Sequence, residues 1–149
     1  MTGNLKKLLL KELQLLDNAE QVLRYSFEKC TRIGLKGDYT PDELESFESL
    51  CSRFARLSDI MTQKLFRLLD ELALDTPGSV RDRINRAEKR GVIETAEHFV
   101  AIRILRNDIA HEYLPEAIFE IYRKVMALTP TLLASVDLVK RYSKEEFSV

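Results

Sequence analysis

The 149-residue sequence has little of what interrupts or staples a fold, with no tryptophan, five glycines, four prolines and two cysteines. Two cysteines in separate helical patterns exclude a disulfide framework and a cysteine-rich metal site. No apolar run reaches the roughly 18 to 20 residues that a membrane-spanning helix needs. The first residues also lack the features of a signal peptide. We therefore expect a soluble cytoplasmic protein with no membrane contact.

An excess of charge of either sign is also nearly absent, since the formal net charge is −1. A protein that binds nucleic acid over its whole surface needs an excess of Lys and Arg, so that class is excluded and a basic site must be local. The segment 81–90 offers such a site, although a solvated helix face explains the same pattern. The candidates for RNA contact are Arg81, Arg83, Arg86, Lys89, Arg90 and Arg103.

Apolar residues recur at three- or four-residue steps through most of the chain, which is the pattern of amphipathic helices. We predict helices over about 4–33, 41–73, 79–90 and 95–113, and from 115 onward. The fold class is therefore all-α, an antiparallel up-and-down bundle of about five helices. It forms a single domain over residues 1–149, with a core over about 4–142 and a polar, frayed tail over 143–149.

Local signals mark several helix ends. Thr40, Pro41 and Glu43 form a capping box that begins the second helix. The fourth helix is apolar on nearly all sides, so we expect it to be the buried central helix. Pro115 begins the fifth helix, and Pro130 either kinks or divides it.

The fourth helix ends in Leu105–Tyr113, where polar residues stand among apolar ones. Helical periodicity with a charged outer face does not explain four of these residues, namely Arg106, Asn107, His111 and Tyr113. An Arg can hold a phosphate through paired N–H donors, and a His near neutrality can give or take a proton. Those two groups suffice for metal-free RNA cleavage, in which the ribose 2′-hydroxyl attacks the adjacent phosphorus.

The helical spacing decides how these residues can meet. Burying Arg106 costs several kcal/mol unless it is paired or opens to a cleft, and we expect a cleft. Arg106 and Tyr113 lie on nearly the same face, whereas Arg106 and His111 are about 140° apart and Asn107 shares the stripe of His111. Two copies that meet across a two-fold axis would line one composite cleft with two Arg and two His.

The Arg-x4-His-x-Tyr pattern of Arg106, His111 and Tyr113 resembles the HEPN superfamily, and more closely its HepT-like toxin branch. The resemblance covers roughly residues 77–128, including Arg90-Gly91-Val92-Ile93 and the restart at Pro115. It implies a HEPN-like bundle and a homodimer with its active site at the interface.

On this resemblance, Arg106 stabilises the scissile phosphate, His111 transfers protons, and Asn107 positions the substrate or His111. Tyr113 is the residue that a partner, a minimal nucleotidyltransferase antitoxin, modifies with AMP, and the added charge would repel RNA. Asp108 departs from a basic or neutral cleft. It either orients an Arg or weakens RNA binding.

Two other functions remain open. The chain is alternatively a non-catalytic substrate-binding subunit of a nucleotidyltransferase, or a plain helical dimerisation module. Without the resemblance, a structural ion pair and a core imidazole explain Arg106 and His111. Two isolated His residues predict no metal site, and the absence of phosphate-loop and dinucleotide motifs predicts no cofactor.

Overall fold

The computed structural model describes residues 2–149, so the part of the domain prediction that covers Met1 lies outside it. Residues 2–149 form five helical stretches and no strand, and the second stretch, over 41–72, consists of three contiguous helical segments. The prediction of an all-α bundle of about five helices is confirmed. The elements are α1 (Thr2–Ile33), α2 (Pro41–Asp59), the π-helical segment (Ile60–Leu65), α3 (Phe66–Leu72), α4 (Val80–Arg90), α5 (Ala96–His111) and α6 (Pro115–Phe147).

α1 and α2 form an antiparallel hairpin around the connection 34–40. Arg53 of α2 ties them together, because its Nη1 donates to the carbonyl of Val22 at 3.2 Å and to Ser26 Oγ at 2.7 Å. Apolar side chains of α1, α2 and α6 are fully buried against one another, and their removal from water is the dominant favourable contribution to folding. Among them are Leu9, Leu16, Leu23, Phe47, Phe54, Val125 and Val136.

The predicted capping box of α2 is confirmed. Thr40 Oγ1 accepts from Glu43 N at 3.2 Å, and Glu43 Oε1 accepts from Thr40 N at 2.9 Å. A second box begins α4, where Ser79 and Asp82 exchange the same bonds. α4 ends at Gly91, whose φ of 77° is the left-handed conformation that favours glycine.

The π-helical segment was not predicted, since the sequence pattern continues through it as one long helix. Here the backbone bonds widen to i→i+5, so that Phe66 N donates to Met61 O. Thr62 is fully buried and its hydroxyl donates to the Ser58 carbonyl at 2.9 Å. Such segments are rare and often lie at functional sites, and this one follows directly after Asp59.

α6 is one helix, which contradicts its division at Pro130. Pro130 is exposed, so the backbone bond that it cannot donate faces water. The frayed tail is also wrong, because α6 runs to Phe147. Ser143 is fully buried, and Phe147 packs against Tyr142 at a ring distance of 6.1 Å. Lys140 forms ion pairs with α1, which anchors this end of the helix.

α5 is not the buried central helix that its sequence predicts. Its buried residues form one stripe, namely Ala96, Phe99, Ile102 and Leu105. On the other side Ala101 is exposed, and Ile104 is 57% exposed. The sequence of α5 is apolar on two faces of the helix. The single chain buries only one of them.

Candidate functional site

Arg106 is held by a residue of α2. Its Nε and Nη2 donate to Asp59 Oδ1 and Oδ2 at 2.8 and 2.9 Å, a bidentate ion pair between side chains that are 29% and 36% exposed. The hydrogen bonds that the guanidinium donates to Asp59 raise its pKa above the ordinary value. Arg106 is therefore a permanent cation with a fixed orientation. Asp59 lies 47 residues away in the chain, so no local sequence pattern around Arg106 points to it.

The ion pair leaves part of Arg106 available. A guanidinium carries five N–H donors, and the bidentate pair engages two of them. Those on Nη1 make no hydrogen bond within the described residues. The free-energy cost of burying Arg106 predicts that it has either a partner or an open cleft. In the structure Arg106 has both. It can still donate to a phosphate oxygen beside Asp59.

His111 and Asn107 lie away from Arg106. Both are exposed, and among the described residues neither is hydrogen-bonded to Arg106. Asp59 draws Arg106 toward α2, while Asn107 and His111 share the outward face of α5 with Ile104. Within the single chain, Arg106 and His111 therefore do not form a hydrogen-bonded pair.

Tyr113 does not share a helix face with Arg106, because α5 ends at His111. Glu112 is extended, with φ −94° and ψ 134°, which takes the chain out of the helical register. Its Oε1 accepts from the backbone N–H groups of Tyr113 and Leu114 at 3.1 and 3.2 Å. The phenol of Tyr113 is consequently presented to solvent, with 82% of the residue exposed.

Asp108 is exposed and makes no ion pair within residues 2–149. Of the two roles that the sequence left open for it, orienting an Arg is performed by Asp59 instead.

Arg106 lies between two cavities and lines both of them. The first, named here the apolar cavity, has a volume of about 360 Å³ between α2, α5 and α6. Its walls include Ala55, Ile109, Ile118 and Ile121, and its polar groups include Glu48, Glu112 and Tyr122. The second, named here the cationic cleft, has a volume of about 350 Å³ along α2 and the π-helical segment. Its charged residues are Arg56, Asp59, Lys64 and Arg106.

Tyr122 lines the apolar cavity with a fixed ring and a free hydroxyl. It is 2% exposed, and its ring stacks on Phe47 with a centroid distance of 4.9 Å. Its buried hydroxyl has no hydrogen-bond partner among the described residues. Burial raises the pKa of Tyr122 to about 12, so the phenol stays protonated and can donate. Its position among the buried residues of α6 gives no sign of this unpaired group.

The basic segment is divided between structural and exposed cations. Arg86 Nη1 donates to Asp70 Oδ2 at 3.0 Å and to the Thr76 carbonyl at 2.9 Å. Arg90 pairs with Asp70 and Asp75. Asp70 is 4% exposed, so this cluster joins α3 to α4 and is not a free basic face.

The other RNA-contact candidates are less engaged. Arg81 Nε donates to Asn85 Oδ1 at 3.3 Å. Within residues 2–149, Arg83, Lys89 and Arg103 form no ion pair. Lys89 is exposed and Arg83 and Arg103 are half-buried, and no carboxylate among the described residues neutralises their charge.

Cysteine and metal chemistry have no support in the geometry. Cys30 and Cys51 are buried and unpaired, and burial raises the pKa of their thiols to about 11 and about 12. Both are protonated at neutral pH and are poor nucleophiles. In the part of the chain that the structure describes, no three His, Cys, Asp or Glu residues are grouped as metal ligands. No described helix has the length and apolar character to cross a membrane.

No protein-family model matches this chain, and comparisons with curated proteins and with solved structures give no match.

Proposed function

We propose that this chain is a metal-independent endoribonuclease toxin of the HEPN kind. It acts as a homodimer in which the α5 helices meet across a two-fold axis. The chemistry is attack of a ribose 2′-hydroxyl on the adjacent phosphorus, which leaves a 2′,3′-cyclic phosphate and a free 5′-hydroxyl. Such an enzyme would act on RNA in the cytoplasm.

One observation carries the proposal, namely the uncovered apolar face beside His111. Ile104 is 57% exposed, Leu114 is 65% exposed, and Asn107 and His111 are exposed on the same side of α5. Exposed apolar patches on a folded chain mark interaction surfaces. An isologous contact at this patch brings two copies of His111 close to one axis.

The roles follow from what each side chain can do. Arg106, fixed by Asp59, donates its remaining N–H groups to the scissile phosphate and stabilises the charge that develops there. One His111 accepts the 2′-hydroxyl proton, and the other protonates the departing 5′-oxygen. Asn107 positions the substrate or His111. The surface cations Arg83, Lys89 and Arg103 extend the contact along the RNA backbone.

The proposed partner is a minimal nucleotidyltransferase antitoxin that transfers AMP to Tyr113. The exposed phenol, in a short connection outside any helix, supports this role because an enzyme can reach it. The added phosphate would place negative charge next to His111 and repel RNA.

A second candidate function is a non-catalytic substrate-binding subunit of a nucleotidyltransferase. The ion pair between Arg106 and Asp59 favours it, because a neutralised guanidinium attracts a phosphate less strongly. Asp108 adds a further exposed negative charge on α5.

The direct test incubates purified protein with mixed-sequence RNA in EDTA and analyses the new ends. We expect cleavage that leaves 2′,3′-cyclic phosphates and falls by at least about 100-fold in His111→Ala and Arg106→Ala. His98→Ala is the matched control, since His98 lies at the other end of α5. Intact RNA after incubation with folded, dimeric protein whose mass confirms an unmodified Tyr113 would favour the binding subunit.

The interface is tested separately by placing a charge on each of two exposed apolar faces. Ile104→Glu should give a monomer in light scattering and abolish cleavage, because the charge would be buried against its own copy. Leu15→Glu is the control, since Leu15 is 45% exposed on α1. A dimer that survives Ile104→Glu but is lost in Leu15→Glu would move the interface to α1.

A further inference from the structure

Apart from Asp59, which pairs with Arg106 in the cationic cleft, the charged groups around Arg106 differ in sign between the two cavities. Glu48 and Glu112 line the apolar cavity, and Arg56 and Lys64 line the cationic cleft. Arg106 belongs to both and joins them. A ligand that spans the two must therefore offer hydrogen-bond donors at one end and negative charge at the other.

Tyr122 supplies a second and independent sign of a ligand. A buried hydroxyl without a partner destabilises a folded protein, so such groups are rare and call for an explanation. The hydroxyl of Tyr122 is buried without a partner among the described residues, while its ring is held by Phe47. Tyr122 also lines the apolar cavity, so a ligand there whose polar atom reached this buried hydroxyl would satisfy it.

The two carboxylates of the apolar cavity are not equivalent. Glu112 uses Oε1 to bind the backbone of the α5–α6 connection. Glu48 is exposed and forms neither a side-chain hydrogen bond nor an ion pair within residues 2–149. Glu48 is thus the carboxylate that can accept from an amino group of a ligand.

We infer that each protomer binds a ribonucleotide across Arg106, with an amino-bearing nucleobase in the apolar cavity and its phosphate in the cationic cleft. The cavity is within the size range of small-molecule sites. Its isoleucines pack against the faces of the base, Glu48 accepts from the exocyclic amine, and Tyr122 donates to a ring nitrogen or carbonyl. Arg56 and Lys64 bind the phosphate together with the free donors of Arg106.

This arrangement fixes the direction of the ligand and its selectivity. The carboxylate of Glu48 repels a phosphate from the apolar cavity, and the cations of the cleft attract it. Adenine, guanine and cytosine carry an exocyclic amine, and uracil does not. The choice of a ribonucleotide rests on the proposed ribonuclease function, and the site would then select the base next to the cleaved bond.

The test measures binding of the four nucleoside 3′-monophosphates to the wild-type protein by calorimetry in EDTA. These probes contain no phosphodiester, so binding is measured whether or not the protein cleaves RNA. We expect at least one of the adenosine, guanosine and cytidine nucleotides to bind about tenfold or more tightly than the uridine nucleotide. Equal affinities for all four, binding of inorganic phosphate as tight as any nucleotide, or no binding would overturn the inference.

Three variants assign the contacts. Tyr122→Phe should weaken the preferred nucleotide about tenfold without loss of folding. Glu48→Gln should reduce the preference over uridine, because Gln offers an N–H that can donate to a uracil carbonyl. Lys64→Ala should weaken all four nucleotides equally and leave the corresponding nucleosides unchanged.

The matched controls are Glu45→Gln, on the same helix but outside the apolar cavity, and Lys11→Ala on α1, both at exposed residues. Cavity variants that bind like these controls would remove the site. Nucleotide binding without RNA cleavage would leave the site in place and refute only the nuclease.

Discussion

The chain contains two kinds of Arg–Asp contact, and they differ in what surrounds them. Asp70 is buried beneath Arg86 and Arg90, and the ion pairs among these three side chains join α3 to α4. Asp59 and Arg106 are both about one-third exposed and lie between two open cavities. The same chemical pair is a structural joint in one place and an accessible cation in the other. The number of arginines in a segment is therefore a poor guide to where RNA would bind.

The largest effect should come from removing Asp70. Asp70→Ala leaves Arg86 and Arg90 without their shared carboxylate in a largely buried site, so we expect a loss of about 3 kcal/mol in the free energy of unfolding. Urea denaturation measures it. Glu71→Ala is the control, because the exposed pair between Glu71 and Arg67 should contribute only about 0.5 kcal/mol or less. A loss no larger than that of the control would mean that the Asp70 cluster is not a structural joint.

A smaller effect should follow from Asp59→Ala. Water can solvate the released Arg106, so the loss should stay below about 1 kcal/mol in the same denaturation experiment. Asp70→Ala serves as the reference. Equal losses for Asp59→Ala and Asp70→Ala would abolish the distinction between the two contacts, and Arg106 would become a structural residue.

The smallest effect belongs to the surface pair of Lys36 and Glu43, whose side chains are 43% and 19% exposed. Hydrogen bonds from Lys36 and Thr40 lower the pKa of Glu43 below its ordinary 4.5. Because the folded-state pKa is the lower one, this stabilisation is present above pH 4.5 and is lost as the pH falls through the folded-state pKa. Unfolding measurements should show wild type more stable than Glu43→Gln at pH 7, with a gap that closes in acid. A gap that widens as the pH falls would contradict this sign.

The features that could be predicted from the sequence are local ones. The capping box at Thr40 and Glu43 and the helix start at Pro115 depend on neighbours within one turn, and both are present. The partner of Arg106 could not be predicted, because Asp59 lies far away in the chain on an ordinary polar helix face. Nothing in the spacing of Ile104 indicated that its side of α5 would be uncovered.

The cavities are beyond sequence patterns for the same reason. Tyr122 falls on the apolar stripe of α6 and reads as core, which its ring is. Whether its hydroxyl finds a partner depends on α2 and α5 at that point. By their sequence alone, Arg56 and Lys64 are ordinary solvated helix residues. In the structure they lie around one cleft with Arg106, along α2 and the π-helical segment.

In the proposed mechanism a working site needs two copies of the chain. Complementation between two inactive variants tests this requirement directly. Arg106→Ala and His111→Ala, each inactive alone, are unfolded together, refolded as a mixture and assayed on RNA in EDTA. A mixed dimer retains one Arg106 and one His111 in the shared cleft, so His111 performs one of the two proton transfers and water performs the other. We expect cleavage to reappear in the mixture, at a rate below that of the wild type, and to be absent from each variant refolded alone. A mixture that forms dimers but stays inactive, with wild type active in parallel, would contradict a composite site.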